Sequence, residues 1–184
     1  MLIDASLSFV PYGAPAQSMV ANAGVGIQVG NPIDLLGQGV GTPPANIIGQ
    51  TSLFGQDPGS GFLKPFLRTI VGTTFVTANA STLNLQLQYA ADTGAGGNYQ
   101  PGPWNLIIAS PPITAANMAA GTILPKLEFE PVFPATLRPR YIRLFGVILA
   151  ATNFTAGSIS FAGIVLGADE FANRLATKNF AGPA

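Results

Sequence analysis

Arg140-Tyr-Ile-Arg-Leu-Phe-Gly-Val-Ile-Leu-Ala150 and Ser158-Ile-Ser-Phe-Ala-Gly-Ile-Val-Leu166 are the stretches whose reading decides the fold. Both are rich in β-branched and aromatic residues, the composition of β-strands. The connection from Ala151 to Gly157 is short and contains Asn153 and Gly157, which predicts that the two runs pair as a hairpin. In the second run Ile159, Phe161 and Val165 share one parity and Ser158, Ser160 and Ala162 the other, so its first half reads as a half-buried strand. The first run is apolar on both faces, with Ile142, Leu144 and Ile148 on one and Tyr141, Phe145, Val147 and Leu149 on the other. A strand of that kind has to be covered on both sides. One cover is expected to be the second sheet of the same domain. The other is either more of this chain, or a subunit or larger surface. Tyr141, Arg143, Phe145, Val147 and Leu149, with Arg138 and Arg140 beside them, are therefore the interface candidates.

Outward from this stretch the chain keeps the period of two. Leu83, Leu85, Leu87 and Tyr89 alternate with Asn84, Gln86 and Gln88, the pattern of an antiparallel sheet with one solvated face. Phe66 to Thr77 is β-branched and aromatic, with Arg68, Ile70 and Gly72 opposite Leu67, Thr69 and Val71. Ile3, Ala5, Leu7 and Phe9 predict a first strand ending at Pro11, and Val25, Ile27 and Val29 a second. Trp104 to Ala109 and Leu127 to Glu130 read as further strands, and Thr114 to Ala120 as a short helix capped by Thr114 and ended by Gly121. Residues 30–61 are dense in turn formers, among them Asn31-Pro32, Pro43-Pro44 and Asp57-Pro58-Gly59, and predict a long loop excursion. Residues 168–184 predict a helical turn or two and a tail. Together these give one all-β domain over residues 1–184, an antiparallel β-sandwich or jelly roll of about eight strands.

Composition narrows the chemistry. The 184 residues contain no cysteine and no histidine, which removes disulfides, thiolate and imidazole catalysis and the usual zinc ligands. No metal and no cofactor is expected. Charged residues are 9% of the chain, against an average of about 25%, while there are 22 glycines and 16 prolines. A formal net charge of zero argues against nucleic acid as a partner, because phosphate binding needs an excess of lysine and arginine. A surface this sparsely charged is poorly protected against association. No apolar run approaches the roughly 18 residues of a membrane helix, and Met1-Leu-Ile-Asp4 has no basic n-region, so neither a membrane partner nor a secretory signal is expected.

Four patterns carry chemical readings. Asp92-Thr93-Gly94 matches the motif of aspartic peptidases, in which two carboxylates share a proton. With one copy here, activity would need a homodimer, and Asp-x-Gly is also a common turn. Glu128 and Glu130 stand about 7 Å apart along one strand face, compatible with a glycosidase pair but also with a solvated face or with partners for Arg140 and Arg143. Trp104 with Tyr99 would make a sugar-stacking platform in a carbohydrate-binding sandwich, although a core tryptophan is the commoner case. Arg138, Arg140 and Arg143 form the only basic cluster, suited to carboxylates on a partner and too small for a nucleic-acid patch.

The order of these pieces resembles the jelly-roll cement, or decoration, proteins of tailed bacteriophages, such as that of a Bordetella phage. The resemblance is carried by Met1-Leu-Ile-Asp-Ala-Ser-Leu-Ser-Phe9, Gln17-Ser18, Leu83-Asn-Leu-Gln-Leu-Gln-Tyr89, Trp104 after a glycine-rich loop, Arg140-Tyr-Ile-Arg-Leu144, Phe154-Thr-Ala-Gly157 and Phe161-Ala-Gly-Ile164. It implies a structural virion protein without catalytic, cofactor-binding or metal-binding residues. Such a protein is a homo-oligomer, dimer or trimer, on the outer surface of the capsid, bound across junctions between major capsid proteins.

Overall fold

A computed structural model describes residues 8–20, 26–34, 65–77, 80–91, 93, 101–129, 139–149 and 153–165, with residues 139 and 140 described by their backbone alone. Among the described residues there are ten strands: β1 (Ser8–Val10), β2 (Gln17–Ser18), β3 (Ile27–Asp34), β4 (Phe66–Thr77), β5 (Thr82–Ala91), β6 (Asn105–Ala109), β7 (Ile113–Thr114), β8 (Leu127–Glu128), β9 (Pro139–Leu149) and β10 (Phe154–Val165). They form two antiparallel sheets. The first has the order β1-β10-β4-β8, with β2 also on β10. The second has the order β3-β9-β5-β6, with β7 also on β5.

The pairings are nested. β1 pairs with β10, β3 with β9, β4 with β8 and β5 with β6, so strands near the start of the chain meet strands near its end and the innermost pair is consecutive. That is one long antiparallel ribbon rolled into two sheets, the jelly roll that the alternation and turn spacing predict.

Each sheet turns one side of its strands inward. β4 contributes Leu67, Val71 and Phe75, β5 contributes Leu83, Leu85 and Leu87, β9 contributes Ile142, Leu144 and Ile148, and β10 contributes Phe154, Ile159, Ala162 and Ile164 to one apolar core. Phe75 and Phe154 meet edge to face at 5.0 Å, a favoured aromatic geometry. Along the side of the sandwich β1 of the first sheet lies against β3 of the second, where Gly30 has a φ of +67° and leaves room for the carbonyl of Phe9.

Four expectations need correction. β9 and β10 do not form a hairpin: β9 lies between β3 and β5 in the second sheet and β10 between β1 and β4 in the first. Both strands are flanked on each side, so each satisfies its backbone groups within its own sheet, and the connection crosses between sheets. Second, Ile159 and Phe161 do not share a face. The β4–β10 register shifts between them, and each such irregularity moves later residues to the opposite side. Ile159 joins Ala162 and Ile164 in the core, while Phe161 and Val165 lie in the register rows of Ile70 and Phe66 outside the core cluster, each still only 1% exposed. Third, β3 runs on through Asn31 and Pro32 to Asp34, because it is an edge strand and tolerates a proline with no N–H to give. Fourth, the helix expected at Thr114 to Ala120 is a single 3-10 turn, Ala115–Asn117, with no side-chain cap from Thr114.

Residues 35–61 of the loop excursion, residues 168–184, Asp92, Glu130 and Arg138 lie outside the described residues. No helix among the described residues is long and apolar enough to cross a membrane.

Candidate binding surface

The second sheet buries one face in the core and turns the other outward. On β9 the outward residues are Tyr141, Arg143, Phe145, Val147 and Leu149, the odd positions that alternate with core residues Ile142, Leu144 and Ile148. Register places Arg143 opposite Gln88, Phe145 opposite Gln86 and Val147 opposite Asn84 on β5, and Phe145 opposite Gln28 on β3. An apolar stripe with one arginine in it therefore runs beside a column of amides.

The amide column is internally bonded. Arginine can only donate, so Gln88 must present its oxygen to it, and Arg143 Nε donates to Gln88 Oε1 at 2.8 Å. This fixes every amide after it: Gln88 Nε2 donates to Gln86 Oε1 at 2.8 Å, Gln86 Nε2 to Asn84 Oδ1 at 3.0 Å, and Asn84 Nδ2 to the carbonyl of Ser110. Ser110 ends the column. Its N–H donates to the Leu85 carbonyl, its Oγ accepts from the Leu85 N–H at 2.9 Å, and its hydroxyl donates to the Pro111 carbonyl. Aligned bonds of this kind polarise one another and rigidify the face that carries them.

Aromatic rings hold the arginine from two further directions. The guanidinium carbon lies 4.2 Å from the Trp104 ring centre and 4.4 Å from that of Phe145, both within cation–π range. Trp104 immediately precedes β6, at the far side of β5 from β9. Phe145 lies across Gly26, where a Cβ would fall 1.9 Å from the ring, so this rotamer needs glycine at that position. Partial burial pulls the Arg143 pKa below its ordinary value, yet arginine remains a cation.

Of the sequence candidates, Arg143, Phe145 and Val147 are half-buried on this face and Leu149 is 44% exposed, so these four leave surface open to solvent. Tyr141 is only 7% exposed and presents little. Arg140 is described by its backbone alone, so the arginines are not seen as a cluster. Trp104 is not the core residue that base frequency favours. It is half-buried on the outward face, and Arg143 occupies one side of it. Glu128 does not meet Arg143: it sits on β8 of the first sheet and pairs with Lys126, whose ammonium lies 4.4 Å from the Phe66 ring centre. Sequence reasoning missed the amide column as a functional partner, reading Asn84, Gln86 and Gln88 as a solvated face. The signal was their shared parity, which acquires meaning only once β9 is known to lie beside β5.

Among the described residues no group of three or more acidic residues is placed to hold a metal ion. Fold and surface together define an antiparallel jelly roll that carries a rigid, mixed apolar and cationic sheet face. The chain matches no protein-family model and no curated protein.

Proposed function

We propose that the chain is a capsid cement protein, a structural protein that binds the outside of an icosahedral phage head and ties neighbouring major capsid proteins together as a homo-oligomer. The observation that carries this reading is the outward face of β9, where Phe145, Val147 and Leu149 leave apolar surface in solution on a strand whose other face already fills the core. Apolar surface that its own fold does not use is the usual mark of an interaction site. The bonded amide column supports the same reading. It holds the side chains of the face in place, so little conformational freedom remains to be lost on docking. The nested jelly-roll topology and the sparsely charged sequence fit a protein that lives in an assembly.

The test uses preassembled phage heads that lack the protein. Added protein should sediment with the heads up to a fixed stoichiometry and raise the temperature at which they rupture. A ligand that binds only the intact shell stabilises it by about 2.7 kcal/mol per site at a free concentration near 100 times its dissociation constant. Failure to sediment with the heads, with an unchanged rupture temperature, would remove the reading.

A further inference from the structure

Arg143 is held on three sides. Gln88 accepts from its Nε at 2.8 Å, and the Trp104 and Phe145 rings lie 4.2 and 4.4 Å from its guanidinium carbon. Gln88 cannot swing away, because its own amide is engaged by Gln86 and that of Gln86 by Asn84. These contacts use one of the five N–H donors of the guanidinium. Among the described residues no carboxylate pairs with Arg143, and its two terminal nitrogens have no hydrogen-bond partner. With Nε engaged and rings on the flanks, the edge formed by Nη1 and Nη2 remains. Two parallel N–H groups on one edge match the two oxygens of a carboxylate.

The surroundings narrow the ligand further. Phe145, Val147 and the 44% exposed Leu149 continue along β9, and Leu106, 54% exposed, stands opposite Gln88 on β6. An apolar border excludes water from a docked ion pair and strengthens it. The amides are bonded to one another, so the face offers few fixed groups to the many hydroxyls of a neutral sugar. Among the described residues the face carries a single cation, too little for a phosphate backbone.

We propose that Arg143 is the receptor for a carboxylate of a protein partner, an Asp or Glu side chain flanked by apolar residues, which docks end-on against the guanidinium on this face. The inference rests on the reading of the face as the capsid-binding surface and names the chemistry that the capsid must present there. Because the rotamer of Arg143 is already fixed in the free protein, docking does not have to freeze it. Lysine would keep the charge but lose the fork.

The experiment titrates the full chain, uniformly labelled with nitrogen-15, with the blocked tripeptides acetyl-Leu-Glu-Leu-amide and acetyl-Leu-Gln-Leu-amide, following the Arg143 Nε resonance in the wild type and the backbone amides of Leu144 and Phe145 in both proteins. The Glu peptide should give a saturable shift with a dissociation constant on the order of 1 mM. The Gln peptide, and the Glu peptide on Arg143→Lys, should bind at least tenfold more weakly. Equal binding of the two peptides, no saturable shift at Arg143, or undiminished binding of the Glu peptide by Arg143→Lys would overturn the proposal. Should Arg143→Lys fail to fold, the contrast between the two peptides on the wild-type protein decides. Heads separate this inference from the reading beneath it. Heads that ignore the wild-type protein sink the cement reading, whereas heads that bind wild type and a folded Arg143→Lys equally sink only the carboxylate receptor.

Discussion

Gly30→Ala and Gly13→Ala form a matched pair that tests how the two sheets meet at the side of the sandwich. Both glycines have positive φ, +67° and +83°, where an L-residue costs roughly 1–2 kcal/mol. They differ in what a methyl group would touch. At position 13 nothing lies within 4 Å, whereas at position 30 the new Cβ would fall 1.9 Å from the Phe9 carbonyl oxygen and 2.5 Å from its carbon. A tolerable C···O contact is about 3.3 Å, so β1 would have to retreat by more than about 1 Å. It cannot retreat freely, since Ser8 and Val10 are in register with β10 and Phe9 belongs to the core. Overpacking of that kind adds roughly 1–3 kcal/mol, so Gly30→Ala should cost about 2–5 kcal/mol in all and Gly13→Ala only about 1–2. For a chain of this size each kcal/mol is worth about 2–4 °C in Tm, which predicts losses of roughly 4–20 °C and 2–8 °C. Thermal melts followed by circular dichroism, with urea titrations to check that the m-value is unchanged, measure both. If Gly30→Ala melts no lower than Gly13→Ala, β1 does not close on β3 as described.

Three further substitutions probe single groups. Thr69 Oγ1 is buried among core residues with no hydrogen-bond partner, so Thr69→Val should raise Tm by a few degrees, relieving a penalty of about 1–3 kcal/mol; a lowered Tm would mean that the hydroxyl is satisfied. Ser110→Ala removes the acceptor of the buried Leu85 N–H and should cost about 1–3 kcal/mol, with faster hydrogen exchange at that amide as its specific signature. Phe161→Asp places a carboxylate where the side chain is 1% exposed. The expected cost of several kcal/mol, against a total of about 5–15, should abolish the cooperative melt, and a variant with wild-type Tm would show that Phe161 is not covered.

The strands themselves were legible in the sequence because alternation is a local property of extended backbone. Leu83, Leu85 and Leu87 face the core and Asn84, Gln86 and Gln88 face out, as their spacing demands, and β4 spans Phe66–Thr77 as read from its composition. The two-sided apolar character of β9 was equally legible, and with it Phe145, Val147 and Leu149 as surface candidates. Which strands pair was not, because the ladder hydrogen bonds are made by backbone groups that every residue carries. Proximity in sequence suggested β9 on β10, whereas the rolled ribbon separates them into different sheets. The face of Phe161 was hidden for a related reason, since one irregularity in the β4–β10 register reverses the parity after it and leaves no mark in composition. The site depended on both levels. Sequence supplied an arginine, a tryptophan and a column of amides at separate places in the chain, and only the packing of β9 against β5, with Trp104 at the start of β6, brought them within hydrogen-bond and ring-stacking distance.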